Sequence, residues 1–554
     1  MTQNPDQEPV HEFQMKWWGW GTKTRKADLA LYPGIFPYMN KHFGILAKTQ
    51  PDLLPIPLKI PPHTLSSPAM TSLAKLKVLF SSSDECRLTH ALGKSYRDLI
   101  LIRTQTLDKF PDVVLFPKSE QEIVAIFQWC VEHKLAVVPF GGGTSVVGGI
   151  DGLKGSGHAG VVSVDMCSMD HLLSIDMDSM TVRAQGGIFG PHLEKLLRQE
   201  NLTLGHFPQS FEFSTLGGWA ATRSCGQNSC GYGGIEEMVL SLRMVTPNGS
   251  IETLTVPREA AGPSLKEILI GSEGIYGIIT EVTIKVKKRP EQQHLCMYAF
   301  PDFISAAKAG KALVQDEVPI TILRISDEDE TEAFVAMAKK PAPTLKEKMG
   351  EIYLRWMKIN SQKFCTMLLG FEGEAADVKA HYKAAHTLLR QMGGVPLGQS
   401  PGKKWARDRF FLPYLRDPFL DLGLLVDTLE TATPWSNLHN LHQEIKSALK
   451  QVAARQNVSC QIFCHLSHYY TSGVALYFSI LANRKDGQEM AQWLEFKEMA
   501  NQVIFKNKAS ISHHHGIGVD HKTHLFHSPL HRTMVATLKT QLDPEGIMNP
   551  GKIL

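Results

Sequence analysis

The run Pro139-Phe140-Gly141-Gly142-Gly143-Thr144-Ser145 closes an apolar stretch, residues 135–138, with three glycines that neither pack a core nor extend a strand. Glycine tolerates positive φ and close approach, so a turn of this kind brings bare backbone N–H groups up to an anion. Thr144 and Ser145 add hydroxyl donors. The spacing is not the G-x-G-x-x-G dinucleotide fingerprint, and no Gly-Lys-Ser/Thr follows to make a P-loop. Taken alone, the motif supports an ordinary turn and a nucleotide site about equally.

Two further loops shift that balance. Pro208-Gln209-Ser210-Phe211-Glu212-Phe213-Ser214-Thr215-Leu216-Gly217-Gly218 is rich in hydroxyls and glycine, and leads to Thr222-Arg223-Ser224 and a glycine cluster at 231, 233 and 234. Gly271-Ser272-Glu273-Gly274-Ile275-Tyr276-Gly277 runs into a β-branched stretch that begins at Ile278. Three loops of this kind fit a large nucleotide held along its whole length. In this order they resemble the FAD-binding domain of the vanillyl-alcohol oxidase/p-cresol methylhydroxylase flavoprotein superfamily. The resemblance implies FAD contacts from Pro139, Gly141, Gly142, Gly143, Thr144 and Ser145 in the first loop. In the second region it implies His206, Gln209, Ser210, Glu212, Ser214, Thr215, Thr222, Arg223 and Ser224. In the third it implies Gly271, Glu273, Gly274, Gly277 and Ile278.

A chain of 554 residues exceeds the size at which one core stops growing, so more than one structural unit is expected. Strand-like runs at 113–116, 136–140 and 161–164 alternate with helical ones at 121–132 and 192–200. That pattern predicts a nucleotide domain over 109–288, preceded by an N-terminal segment, 1–108, that is mainly helix and loop. The N-terminal segment has a helical stretch at 88–99 and proline-rich loops at 51–68. After Pro290, strand runs at 294–300 and 474–481 enclose amphipathic helices at 378–392 and 438–456, read as a cap domain over 289–500. Residues 501–554 fold back to the site. The expected fold class is α+β: a two-subdomain FAD-binding domain of the vanillyl-alcohol oxidase type, plus an α+β cap with an antiparallel sheet.

A formal net charge of +3 is slight for this length and argues against an electrostatic nucleic-acid binder. Nine cysteines, an odd number, fit a reducing compartment. No apolar stretch reaches the roughly 20 residues that span a bilayer. The polar, acidic start does not fit a presequence, and Gly551-Lys552-Ile553-Leu554 is not a Ser-Lys-Leu address. The expectation is a cytoplasmic protein, at most peripheral at a membrane.

Finer motifs select a branch. Met15-Lys16-Trp17-Trp18-Gly19-Trp20-Gly21 is similar to the tryptophan-glycine signature of the alkyldihydroxyacetonephosphate synthase family. Gly205-His206, Leu415-Arg416-Asp417, Glu430-Thr431-Ala432-Thr433-Pro434-Trp435, Ala475-Leu476-Tyr477-Phe478 and Ser512-His513-His514-His515-Gly516-Ile517-Gly518 match it in order. Physically the indoles read as a hydrophobic anchor. The adjacent histidines read as a loop facing a cavity, because neighbouring side chains cannot all point inward on a regular strand. A closed zinc site would want more ligands at defined spacing, so no metal is expected.

The resemblance implies a transferase that exchanges the acyl chain of acyl-dihydroxyacetone phosphate for a long-chain fatty alcohol in ether-lipid synthesis. FAD is noncovalent and takes a non-redox role through an N5 adduct. The implied catalytic set is Tyr477 as proton carrier, the His513, His514 and His515 loop for proton transfer and phosphate binding, and Arg416 and Arg324 for anions. A homodimer is expected.

The competing class is a 2-hydroxy-acid dehydrogenase or oxidase of the D-lactate or glycolate type, with a noncatalytic FAD-binding or lipid-carrier protein as a poorer third option. The ending 542–552 is closer to those enzymes, and Tyr470-Thr471-Ser472-Gly473-Val474-Ala475 departs from the synthase pattern. The metal-binding His-x-Gly-Asp-Gly-Asn-x-His run of that class is absent. His465-Leu466-Ser467-His468 occupies its place, its two histidines read as packed strand residues in preference to a remnant metal pair. Cys225 and Cys230 lack a Cys-x-x-Cys pattern and read as packing.

Overall fold

The computed structural model describes residues 13–25, 27–47, 58–339 and 345–554. Residues 51–57 of the proline-rich stretch, and residues 1–12 of the start, lie outside that description.

Two sheets make up the glycine-loop half. Strands β1 (Leu79–Ser81), β2 (Val113–Phe116), β3 (Leu135–Phe140) and β4 (Gly160–Asp165) lie in the order β1-β2-β4-β3, with β2 and β3 each parallel to β4. Both β2 and β4 are buried along their whole length, as strands covered on two faces must be. Strands β5 (Leu172–Asp176), β6 (Thr181–Gln185), β8 (Val239–Thr246), β9 (Gly249–Glu252) and β10 (Ile278–Lys285) form an antiparallel sheet in the order β5-β6-β10-β8-β9. A short ribbon pairs β7 (Leu202–Thr203) with β11 (Lys287–Lys288). The glycine run therefore leaves the C-terminal end of β3, a parallel strand at the edge of this sheet, and open sheets place ligands at that end of their strands.

The second half is one seven-stranded antiparallel sheet of β12 (Gln292–Phe300), β13 (Ile322–Ser326), β14 (Cys365–Gly373), β15 (Val395–Gly398), β16 (Leu424–Pro434), β17 (Cys460–Tyr469) and β18 (Gly473–Asn483). Its order is β15-β12-β14-β13-β17-β18-β16. Helices Ala375–Gln391, Leu438–Gln456 and Glu489–Lys506 each carry a buried apolar stripe at helical spacing.

The predicted helix at 88–99 is two helices, Asp84–Thr89 and Tyr96–Arg103. Gly93 breaks it, because a side chain there would strike the Ser145 carbonyl. Ser95 restarts it with a reciprocal capping box to Asp98. The N-terminal segment packs in one core with the seven-stranded sheet: Trp18, Trp20, Tyr38 and Met39 share it with Leu323, Phe463 and Phe478. The chain end returns to the other half, where Met548 bridges Val137 of β3.

Candidate active site

A cavity of about 460 Å³ opens between the three glycine-rich loops and the large sheet. Pro139, Gly141 to Ser145, Gln209, Ser210, Ser214, Thr215, Thr222, Ser224, Glu273, Gly274, Gly277 and Ile278 line one wall. The glycines seat these loops on one another. A Cβ on Gly142 would overlap the Phe213 carbonyl, and one on Gly141 would come within 2.5 Å of Thr215 Oγ1. Gly274, at φ +75°, lies against Pro139. Packed so, the first loop leaves the amides of Gly142, Gly143, Thr144 and Ser145 without a protein acceptor among the described residues. Ser272 Oγ is also buried and has no partner among those residues. Unsatisfied donors beside a cavity are what an anionic diphosphate would complete.

Four predicted contacts sit behind that wall. Glu212 turns to Arg25 and accepts from Tyr414 OH at 3.3 Å. Arg223 pairs with Glu267 at 3.1 Å, and Gly271 packs on its side chain. His206 is enclosed by Trp219 and hydrogen-bonded with Ser224 Oγ at 3.2 Å; burial pushes it down to about 3, so it is neutral.

The opposite wall is set by strand register. Glu430 on β16 lies directly across from Tyr477 on β18, which lies across from His465 on β17, so the three share one face. The Tyr477 ring stacks on His465 at 4.8 Å and meets His515 edge-on at 5.5 Å. Burial raises the phenol, which stays protonated at neutral pH.

The two predicted arginines differ in occupation. Arg324 lines the cavity but pairs with Glu330 at 3.0 Å and touches His465 Nδ1 at 3.0 Å. Arg416 lines the same cavity, and its buried Nε and Nη2 have no partner among the described residues. An enclosed guanidinium with open donors is a receptor for phosphate or carboxylate.

The histidine loop is slung between two carboxylates. Ser512 Oγ (2.8 Å) and the amides of His513 (2.6 Å), His514 (2.9 Å) and His515 (2.8 Å) all donate to Glu430. Burial opposes ionisation of Glu430, but His514, by charge and by hydrogen bond, is foremost in outweighing it and holds the carboxyl well below its ordinary range. Past Gly516, the amides of Ile517 (2.6 Å) and Gly518 (2.7 Å) donate to Glu273 of the third glycine loop. Burial raises Glu273 to about 7 against those two bonds.

His514 and His515 line the cavity; His513 turns aside to Tyr470 OH at 2.6 Å. Burial pushes His513 down to about 4 and His515 to about 3, so both are neutral near pH 7. His468 is more than a packed strand residue, since it lines the cavity and stacks on His513 at 4.9 Å. Ring nitrogens of His468, His513 and His514 lie within 4.8 Å of one another. Several are already engaged: His468 Nδ1 with Ser229 Oγ at 2.7 Å, and His513 Nδ1 with His514 Nδ1 at 3.0 Å. Cys225 Sγ reaches His468 Nδ1 at 3.2 Å, and all nine cysteines are free thiols.

Depressed histidines make folding sensitive to acid. With folded values of about 4 and 3 against an ordinary 6.5, His513 and His515 add stability above pH 6.5 that is lost as the pH falls toward those values. Stability should fall between pH 6.5 and 4 by on the order of 3 kcal/mol per histidine, read as a falling thermal midpoint. The decline should be shallower in His515→Gln; equal slopes would remove His515 as a contributor.

Residues 111–255 match the FAD binding domain family, and residues 289–553 match the C-terminal domain of FAD linked oxidases. An alkyldihydroxyacetonephosphate synthase of Dictyostelium discoideum is 34% identical over 98% of this chain and 93% of its own length. The chain belongs to the alkyldihydroxyacetonephosphate synthase family. A solved alkyldihydroxyacetonephosphate synthase superposes with a TM-score of 0.83 at 31% identity, covering 98% of each chain. p-Cresol methylhydroxylase shares the fold, with a TM-score of 0.67 at 14% identity over 89% of this chain and 98% of its own.

As in this synthase family, the cofactor is FAD, and the residues present suit it. The first two loops fall inside the 111–255 match; the third, 271–277, lies beyond it and closes the same cavity. Glu430, like His468, is a site residue absent from the expected set, although it stands in the motif at 430–435. Its signal was a lone glutamate in the otherwise apolar or hydroxyl-bearing run 429–433, since a carboxylate on a buried strand needs dedicated donors.

Proposed function

We infer that this protein is an alkyldihydroxyacetonephosphate synthase. It exchanges the acyl chain of acyl-dihydroxyacetone phosphate for a long-chain fatty alcohol, giving alkyl-dihydroxyacetone phosphate and a free fatty acid. The observation that carries the reading is the open guanidinium of Arg416, in one cavity with Tyr477, His514 and His515 and facing the FAD loops.

FAD, when bound, supplies N5 chemistry that lets acyl departure and alcohol arrival occur with no net redox change. The protein's own groups do the rest. Arg416 receives an anion, either the phosphate or the departing carboxylate. Tyr477, held protonated, donates a proton, and neutral His515 beside it accepts one. Ile322, Leu323, Phe334, Met337, Leu412 and Phe463 give the cavity an apolar side suited to alkyl chains. Among the described residues no helix is long and apolar enough to cross a membrane, so lipid substrates point to peripheral contact with a bilayer surface. A cytoplasmic location and a homodimer complete the reading.

The test is anaerobic incubation of FAD-loaded protein with palmitoyl-dihydroxyacetone phosphate and isotopically labelled hexadecanol, read by mass spectrometry. Labelled ether product with free palmitate and no electron acceptor consumed is the expected result. Flavin bleaching by a D-2-hydroxy acid, with no ether formed, would move the chain to the dehydrogenase class.

A further inference from the structure

The tryptophan-glycine segment has no part in that chemistry, yet it is tied to both walls of the cavity. Residues 16–21 form a closed turn, with the Lys16 amide donating to Gly21 O at 2.9 Å. On one side the turn grips Asp417, the neighbour of Arg416. Lys16 Nζ lies 3.2 Å from Asp417 Oδ2, and the Trp20 amide donates to the same oxygen at 2.8 Å. Gly19 sits so close to this carboxylate that any Cβ would overlap it.

On the other side the turn reaches the FAD loops. Lys94 Nζ donates to the carbonyls of Lys16 (3.1 Å) and Trp17 (3.2 Å), while the Lys94 amide donates to Ser145 O of the first loop at 2.6 Å. The Trp20 ring lines the cavity and meets Phe213 of the second loop edge-on at 5.9 Å.

A second tie runs parallel to the first. Arg25 pairs with Glu212 of the second loop, and its guanidinium lies over Phe411 (4.7 Å) and Tyr414 (5.2 Å). Tyr414 OH donates to the same Glu212, and Gly21 packs flush on the Tyr414 ring. Residues 16–25 thus join the loops at 145 and 212–213 to the stretch 411–417. Lys16, Lys94 and Asp417 are all buried. Apolar packing would anchor a terminus without the desolvation cost of three enclosed charges. What these charges add is direction, because a hydrogen-bonded ion pair fixes one geometry where an apolar contact slides.

We propose that residues 16–25 form a positioning clasp that sets the Arg416 guanidinium against the FAD loops, and so governs recognition of the anionic substrate. The inference rests on the reading of Arg416 as an anion receptor. Lys16, Arg25 and Asp417 are positioning residues and touch no substrate.

The selectivity of the clasp makes it testable. Dihydroxyacetone phosphate carries the anion; hexadecanol carries none. In FAD-loaded Asp417→Asn and Arg25→Ala proteins, the Kd of radiolabelled dihydroxyacetone phosphate, by equilibrium dialysis, should rise about 10- to 100-fold, the scale of a misplacement near 1 Å. The KM for palmitoyl-dihydroxyacetone phosphate should rise with it. FAD content and the KM for hexadecanol should stay within about twofold, a smaller change than any misplacement of this kind would give.

Arg25 is 42% exposed, so Arg25→Ala carries the test if Asp417→Asn fails to fold. Unchanged phosphate binding in the variants would overturn the clasp, as would equal KM changes for both substrates, which mark a merely structural role. A wild type that binds no dihydroxyacetone phosphate would overturn the receptor and the clasp together. A wild type that binds it but makes no ether would sink only the synthase reading.

Discussion

Replacing Tyr477 with phenylalanine is expected to lower kcat by about 10²–10⁴-fold, the range over which a positioned proton donor contributes, with bound FAD unchanged. The separation follows from the register of the large sheet. Tyr477 stands on β18 between Glu430 and His465, and the FAD loops are built from the other half of the chain. Phenylalanine keeps the ring stacked on His465, so only the hydroxyl goes. Losing one such group costs about 1 kcal/mol of stability, too little to explain a large fall in rate. Absorbance of bound flavin per chain, the thermal midpoint and the ether-forming rate, taken on one preparation, separate the effects. A variant retaining full activity would strike Tyr477 from the proton path and leave the neutral imidazole of His515 as its carrier.

The FAD half of the molecule was legible because its signals are local. A glycine run after an apolar strand and hydroxyl-rich loops state their geometry within a few residues. The strands at 113–116 and 278–285, and the helix at 438–456, lie where periodicity puts them. The helix read at 88–99 failed because Gly93 answers to Ser145, fifty residues on, which no local pattern reports.

The site was half legible for the same reason. Residue type marked Arg416, Tyr477 and the histidine loop as candidates, and resemblance gave them roles. Nothing in the sequence told apart two arginines of which one is neutralised by Glu330 and the other left open. Glu212 looked like a cofactor contact because it stands in a cofactor loop; only the fold brings Arg25 and Tyr414 to its carboxylate. His468 became a site residue when β17 and the loop at 513–515 met across the cavity.

Glu430 yields the other large expectation. In Glu430→Gln the side chain keeps its length but loses its charge, and one of its two acceptor oxygens becomes an NH₂ donor facing the backbone amides of the loop. Four donors converge on the native carboxylate, from Ser512, His513, His514 and His515. A single amide oxygen cannot accept them all, so at least one buried N–H is left unmatched. Bonds to a charged acceptor contribute about 1.5–3 kcal/mol each, and a loss of about 3–5 kcal/mol is expected, the cost of breaking a buried charged arrangement.

Because the Glu273 anchor at Ile517 and Gly518 remains, the loop should loosen at its histidine end alone. Hydrogen exchange resolves this independently of catalysis. The amides of 513–515 should lose protection while those of 517–518 keep theirs, and ether formation should fall at least as far as in Tyr477→Phe. Unchanged protection at 513–515 would mean that the imidazoles hold their own positions. The carboxylate would then act on the site only through its charge, and Glu430→Asp, which keeps that charge on a shorter arm, should retain nearly full activity. If the backbone bonds set the loop, Glu430→Asp should fail almost as badly as Glu430→Gln, since shortening the arm withdraws both oxygens from donors now 2.6–2.9 Å away.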